Sequence, residues 1–109
     1  MNLNRAIKEA KKSDHDRFKH ATLLFKGSTL VAAGYNLGKK HSEIMALNKV
    51  KHKGGAEGLV AYNVRINNYG NVAMSKPCVN CAKALDDAGI LFTYYTTDIT
   101  TIRVRYLGE

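Results

Sequence analysis

The sequence predicts a single α/β domain over residues 1–109, in which helices and one five-stranded mixed sheet form α-β-α layers. A chain of 109 residues has room for one compact domain. Its 45% apolar and 24% charged residues are close to the average of folded globular proteins. Helical and strand-like apolar patterns alternate in the order α-β-β-α-β-α-β-β, which is typical of helices layered on a sheet.

The first half of the chain predicts a helix, a hairpin and a second helix. Apolar residues recur at helical spacing over 3–12, with charged residues between them. Two β-rich runs, over 21–25 and 29–35, flank a short Gly-containing turn and therefore predict a hairpin. A second apolar helical face, over 44–50, follows His41-Ser42-Glu43 and should end before the glycine pair that comes next.

The second half continues with a third strand and a third helix. Residues 59–66 carry the apolar pattern of a strand, and Val72-Ala73-Met74 could extend the sheet beyond the following turn. Pro77 suits the first turn of a helix over 78–88, because its missing N–H costs nothing there. Gly89 should end this helix.

Two more strands complete the predicted sheet, over 91–95 and 101–106. Only about five residues join them, which is too few for a crossover helix. We therefore expect these last two strands to pair antiparallel.

The chain carries a net charge of +8, and the excess lies entirely in the first half. Residues 1–53 contain 12 Lys or Arg and 4 Asp or Glu, whereas residues 54–109 contain 5 of each. Clustered cations favour a phosphate-bearing partner, such as a nucleotide or a polynucleotide. A solubilising surface would show the same charge.

The cellular compartment is predicted from three absences. No apolar run approaches the roughly 20 residues that a membrane-spanning helix needs. The first residues lack the apolar segment of a secretory signal. The 2 cysteines, Cys78 and Cys81, are too few and too close for the disulfide scaffold of a small secreted protein. We expect a cytoplasmic protein with no membrane partner.

His41, Cys78 and Cys81 are candidate zinc ligands. Zinc prefers nitrogen and sulfur donors in a tetrahedron, and a catalytic site takes three ligands from the protein. Both cysteines lie in the first turn of the predicted third helix, where the helix dipole favours the thiolate that binds metal. Glu43, two residues after His41, could move a proton beside such a site.

Each half of this pattern has a common alternative interpretation. A lone Cys-x-x-Cys is often half of a zinc ribbon or a redox dithiol, and a lone His-x-Glu is usually a solvated helix start. No second cysteine pair exists to complete a ribbon. A redox dithiol would leave His41 and Glu43 without a role.

The combination His41-x-Glu43 with Pro77-Cys78-x-x-Cys81 resembles the motif of the cytidine deaminase superfamily. This superfamily includes nucleoside, deoxycytidylate, tRNA adenosine and polynucleotide cytidine deaminases. The resemblance covers nearly the whole chain. It implies a cytidine deaminase-like fold, one Zn²⁺ on the histidine and the two cysteines, and Glu43 as the catalytic proton shuttle.

The resemblance also implies substrate contacts. Asn36 would contact the sugar, and Ser42, where the family often has Ala, would offer its backbone to the base. Tyr95 would stack on a base, although alternating strand residues more often pack in a core. Lys76 is a further expected contact. His15, His20 and His52 are expected to be surface or strand-packing histidines.

The resemblance leaves the substrate open. The motif Pro-Cys-Val-Asn-Cys-Ala-Lys is similar to the deoxycytidylate and tRNA adenosine branches, which usually place a helix between the last strands. We expect hydrolytic conversion of cytosine to uracil in a nucleotide or in single-stranded nucleic acid. The alternatives are adenine deamination in RNA and a non-catalytic zinc module that binds nucleic acid. Family members often complete their pockets from neighbouring subunits, which implies a homo-oligomer.

Overall fold

A computed structural model describes residues 3–51 and 54–97, and the backbone of 101–104. Its three helices and six strands follow the predicted order, with one short strand added between the third strand and the third helix. In chain order they are α1 (Leu3–Ala10), β1 (Lys19–Lys26), β2 (Thr29–Tyr35), α2 (Ser42–Val50), β3 (Val60–Ile66), β4 (Val72–Ala73), α3 (Val79–Asp87), β5 (Phe92–Thr96) and β6 (Thr101–Val104).

The strands form one mixed sheet in the order β2-β1-β3-β5-β6. The pair β3 and β5 is parallel, and α3 lies between them in the chain. The remaining neighbours on this path, including β5 and β6, pair antiparallel. The mixed five-stranded sheet and its antiparallel last pair are therefore confirmed.

Strand β4 lies outside this five-strand order. It confirms that the run after the third strand extends the sheet. It pairs antiparallel with the last two residues of β3, through Arg65 with Ala73 and Ile66 with Val72. The predicted last strand extended to Tyr106. Residues 105 and 106 lie outside the described residues, as does His52.

Helices cover both faces of the sheet because neighbouring strand residues point to opposite sides. On one face Leu23, Tyr62 and Val64 form a buried cluster with Ala6 of α1. On the other face, Leu24 and Ala61 pack in a larger buried cluster with residues of both α2 and α3. This is the predicted α-β-α layering. No helix in the described part of the chain has the length and apolarity to cross a membrane.

Gly34 on β2 allows α2 to approach the sheet very closely. A Cβ atom at this position would lie 2.5 Å from the Ser42 carbonyl oxygen and 2.6 Å from the Ala46 backbone nitrogen. Both atoms belong to the helix backbone, so neither can rotate away. The missing side chain of Gly34 thus sets the distance between β2 and the first turns of α2.

We predict that Gly34→Ala lowers the free energy of unfolding by about 1–3 kcal/mol, because the added methyl group must push α2 away from β2. Where the new side chain fits, a Gly→Ala change usually stabilises a protein, so the sign of the effect is diagnostic. Urea unfolding followed by circular dichroism measures the change. Thr29→Ala, at an exposed position of the same strand, should stay within about 0.5 kcal/mol of the unmodified chain. A Gly34→Ala chain of unchanged stability would contradict the close packing.

Candidate functional site

The first turns of α2 and α3 bring His41, Cys78 and Cys81 together. His41 and Cys78 are the residues that immediately precede the two helices, and both have extended backbone conformations. Cys81 lies one turn into α3. The Nδ1 atom of His41 is 3.2 Å from the sulfur of Cys81 and 3.7 Å from the sulfur of Cys78. The three donor atoms all lie within 4.8 Å of one another.

These separations match the requirements of a zinc ion. With Zn–S and Zn–N bonds of roughly 2.3 Å and 2.0–2.1 Å, tetrahedral ligands place nitrogen and sulfur about 3.5 Å apart. The observed 3.2 and 3.7 Å lie on either side of this value. His41 and Cys78 are exposed while Cys81 is buried, so the group opens to solvent on one side. The residues therefore fit a three-ligand metal site with an open position.

The surroundings of Cys81 disfavour a thiolate, contrary to the effect expected of the helix dipole. Burial raises the pKa of the Cys81 thiol well above its usual range, and the nearby Glu43 carboxylate raises it further. A thiolate at this position therefore needs a positive charge beside it. Cys78, unlike Cys81, is exposed, and its sulfur accepts a hydrogen bond from the Cys81 backbone N–H at 3.5 Å.

Glu43 is a buried carboxylate beside this group, with only 5% of the residue exposed. Its Oε1 atom accepts a hydrogen bond from the Ser42 hydroxyl at 3.1 Å. Its Oε2 atom accepts one from the Asn63 side-chain amide at 2.9 Å. Two bonds to two oxygens fix both the position and the plane of the carboxyl group.

A closed ring of four buried polar side chains contains this carboxylate. Thr22 donates to the Asn63 amide oxygen at 2.7 Å, and the Thr22 and Ser42 hydroxyls lie 2.8 Å apart. Thr22 and Asn63 are fully buried, and Ser42 is 1% exposed. Each of these four side chains therefore finds hydrogen-bond partners within the ring.

Ser75 connects this ring to the segment that carries Cys78. Its hydroxyl donates to the Asn63 backbone carbonyl at 2.8 Å and lies 2.8 Å from the Thr96 hydroxyl. Its own backbone carbonyl accepts a longer bond, 3.4 Å, from the Asn63 amide. The loop before α3 is thereby held to β3 and β5.

A cavity of about 320 Å³ lies on the exposed side of the metal-ligand group. It contains most of the site residues predicted from the sequence, together with Phe18, two of the histidines and the Lys39-Lys40 pair. Its lining residues are His15, Phe18, His20, Asn36, Gly38, Lys39, Lys40, His41, Ser42, Glu43, Lys76 and Cys78.

Asn36 and Tyr95, two of the expected substrate contacts, differ in their access to the cavity, which Asn36 lines and Tyr95 does not. The Asn36 amide joins the end of β2 to the start of β1, because it accepts from the His20 backbone N–H at 2.8 Å and donates to the Phe18 carbonyl. Tyr95 is 7% exposed on β5 and does not line the cavity. Its ring is therefore not placed to stack on a base in this cavity. The alternative interpretation, in which Tyr95 packs in the core, fits its burial.

His15 and His20, two of the histidines expected at the surface or against the sheet, contribute to the cavity wall. Burial lowers the pKa of His20 to about 4, and the charges of Arg65 and His41 add to the effect. His20 is therefore neutral near pH 7. His15 is exposed and meets Phe18 edge-on, with ring centroids 5.7 Å apart, while the Arg65 guanidinium lies 4.3 Å from the centroid of the Phe18 ring.

Comparison of the sequence with protein-family models and with curated proteins gave no match. The fold, in contrast, is similar to solved structures of deaminases. Cytidine deaminase from Burkholderia pseudomallei has a TM-score of 0.72 and 17% identity, covering 96% of this chain and 93% of that one. The dCMP deaminase of cyanophage S-TIM5 has a TM-score of 0.70 and 20% identity, covering 86% and 78%. Cytidine deaminase from Mycobacterium tuberculosis has a TM-score of 0.65 and 18% identity, covering 96% and 86%.

The chain therefore has the cytidine deaminase-like fold that its motifs predicted. At these identities the likeness concerns the fold, and the site must be argued from its own geometry. That geometry brings His41, Glu43, Cys78 and Cys81 to one place, next to a cavity.

We predict that the purified chain binds about one zinc ion and that Cys78→Ser and Cys81→Ser each lose it. Both variants should also lose stability, since binding a structurally integrated metal is coupled to folding. Elemental analysis and thermal unfolding measure the two effects. Asn80→Ser, an exposed change between the two cysteines, should keep the metal. Protein expressed with ample zinc that contains none would overturn the assignment.

Proposed function

We propose that this chain is a zinc-dependent hydrolytic deaminase that converts cytosine to uracil in a nucleotide or in single-stranded nucleic acid. The observation that carries the proposal is the buried Glu43 carboxylate, which lies beside three metal-donor atoms and lines the adjacent cavity. A proton-transfer group next to a Lewis acid, with room for a substrate, is what hydrolysis at an electrophilic carbon requires.

The reaction needs a group that first accepts a proton and then returns it. Water adds to C4 of cytosine, the bond from C4 to the exocyclic amine breaks, and ammonia leaves. When bound by His41, Cys78 and Cys81, zinc would lower the pKa of a water molecule toward about 7. Glu43 would take one proton from the water and pass it to ring nitrogen N3 as the C4–O bond forms. It would then pass the proton of the new C4 hydroxyl group to the leaving amine, so that uracil and ammonia result. Its two fixed hydrogen bonds keep the carboxyl group aimed while it does so.

Three lysines beside the cavity support a phosphate-bearing substrate. Lys39, Lys40 and Lys76 are exposed and line the cavity, whereas His20 in its wall carries no charge near pH 7. Clustered cations attract phosphate and raise the association rate of its bearer. The cyanophage dCMP deaminase has been solved with dCMP and dUMP, and the similar fold of the present chain is compatible with a related substrate.

The buried carboxylate also favours an enzyme over a non-catalytic zinc module. Burying an ionisable group costs free energy unless it is fully hydrogen bonded, and Glu43 requires Ser42 and Asn63 for this purpose. A purely structural zinc site has no use for such a group.

Adenine deamination in RNA stays the alternative enzyme function, because it would use the same ligands and the same proton shuttle. A cytoplasmic location and self-association are further parts of the proposal.

A panel of nucleosides, nucleotides and short oligonucleotides tests the substrate class. We predict that a cytosine nucleotide or oligonucleotide gains about one dalton on incubation, as an amine is replaced by oxygen. Nucleosides should react more slowly, because they lack the phosphate that the lysines attract. Lys39→Gln with Lys40→Gln should reduce this preference, whereas Lys26→Gln, exposed in the hairpin, should not. Turnover of adenine alone would select the alternative.

We predict that Glu43→Gln keeps zinc and fold but lowers turnover by at least about 10²-fold, because an amide cannot accept and return the proton. Steady-state kinetics on the best substrate of the panel, with metal analysis of the same preparation, provides the measurement. Glu57→Gln changes an exposed acid outside the site and should have no effect. Near-normal turnover of Glu43→Gln would refute the mechanism. Loss of zinc would instead make Glu43 a ligand or a folding residue.

A further inference from the structure

We propose that Asn63 is a positioning residue for the Glu43 carboxyl group and that Thr22 acts through it. The inference rests on the proposed function, since it concerns the group that would move the proton. Asn63 lies in the middle of β3 and is completely buried. It donates to Glu43 Oε2 at 2.9 Å and accepts from Thr22 at 2.7 Å.

Thr22 supports the orientation in which the NH₂ group of the Asn63 amide faces Glu43. The Glu43 carboxylate and the Ser75 carbonyl set this orientation, because both can only accept hydrogen bonds. A hydroxyl that donates to the amide oxygen holds that oxygen toward β1 and turns the NH₂ group toward the carboxylate. The second bond of the NH₂ group, to the Ser75 carbonyl at 3.4 Å, supports the same orientation. A rotated amide would place its oxygen against Glu43 Oε2 and lose both donor contacts.

The hydrogen bond from Asn63 fixes the position of the Glu43 carboxyl group relative to the sheet, which the bond from Ser42 alone cannot do. Ser42 and Glu43 are neighbours on α2, so their hydrogen bond holds Oε1 relative to the helix itself. The Asn63 bond holds Oε2 relative to the sheet. Together they prevent the carboxyl group from rotating and from moving along the helix, as a proton-transfer group requires.

The strand position makes a purely stabilising role for Asn63 hard to sustain. Asparagine is depleted in strands, and its neighbours Tyr62 and Val64 are buried apolar residues on the other face. Replacing both partners of a buried hydrogen bond by apolar groups of the same shape is often nearly neutral, so stability alone does not call for an asparagine–carboxylate pair here. The hydrogen bonds of the Asn63 side chain lead to Glu43, to Thr22 and to Ser75, which places its effect at the candidate site.

The chain offers a matched control for this ring. Thr22 and Thr93 are both fully buried threonines within strands of the same sheet. Thr22 contributes a hydrogen bond to the ring, whereas the Thr93 hydroxyl has no hydrogen-bond partner among the described residues. The change Thr→Val keeps the shape and removes the hydroxyl at either position. A difference between the two variants therefore reports on the ring and not on burial.

The test measures kcat, KM, zinc content and thermal unfolding of the zinc-loaded chain on its best substrate. We expect Asn63→Ala to lower kcat by about 10²-fold with little change in KM, since the carboxyl group loses its fixed position. Thr22→Val should lower kcat by about 10-fold, a smaller loss because it acts through Asn63. Thr22→Ser, which keeps the hydroxyl, and Thr93→Val should both retain the kcat of the unmodified chain. All four variants should keep zinc.

A second comparison separates positioning from a loss of folded protein. In a Glu43→Gln background, Asn63→Ala should cause no further fall in kcat, because the group that Asn63 positions has already lost its function. A merely structural role would lower the activity of both backgrounds by the same factor. Equal losses in the two backgrounds, or a normal kcat for Asn63→Ala, would overturn the proposal.

Failure of the proposed function would look different. If the unmodified chain turns over no substrate of the panel, the deaminase proposal fails and the kinetic comparison is replaced by crystal structures of the zinc-loaded variants. The Glu43 carboxyl group should then move or split between positions in Thr22→Val and keep one position in Thr93→Val. One unchanged position in both would overturn the positioning proposal by itself.

Discussion

The site depends on how closely the first turns of α2 approach strand β2. Gly34 makes this approach possible, since a side chain there would collide with the backbone of Ser42 and Ala46. The same turns carry His41, Ser42 and Glu43. If α2 lay further from the sheet by the width of a side chain, two hydrogen bonds would be lost. One joins Ser42 to Thr22, and the other joins Glu43 to Asn63. One absent methyl group therefore determines whether the metal-donor atoms and the carboxylate belong to the same site.

The close approach buries polar groups, and the sheet must satisfy them. Thr22 from β1 and Asn63 from β3 project from the middle of the sheet into the space beneath α2. Apolar residues in their place would leave a buried carboxylate with one partner, which costs far more than the lost bonds would contribute. The ring and the glycine are thus complementary. The glycine allows α2 to lie close to the sheet, and the ring provides hydrogen bonds for the Glu43 carboxylate that α2 carries.

The sequence predicted the elements and singled out the candidate metal donors, because apolar periodicity and the Cys-x-x-Cys spacing are both local. Periodicity shows which face of a helix is apolar, and Cys-x-x-Cys places two sulfurs on one helical turn wherever that helix lies. The ring could not be predicted in this way, because Thr22, Ser42 and Asn63 are separated by 20 or more positions and meet only through strand pairing. One signal was available in the sequence, because Asn63 is an uncharged polar residue between the apolar residues Tyr62 and Val64 of a strand. For Tyr95, the resemblance implied a contact with a base, whereas the sheet buries the residue.

The exposed side and the buried side of the site carry different kinds of polar group. The exposed side contains His41, Cys78 and the lysines that line the cavity, so a charged ligand would arrive through solvent and meet cations first. The buried side contains Glu43 and its ring, where no charged side chain other than Glu43 itself takes part and where hydrogen-bond geometry is fixed. Long flexible lysines suit the first task because attraction at a distance needs no precise position. A proton shuttle needs the opposite, since transfer fails when donor and acceptor are misplaced by an ångström. The fold suits both requirements of the proposed function, because the lysines lie in loops and Glu43 lies between a helix and the centre of a sheet.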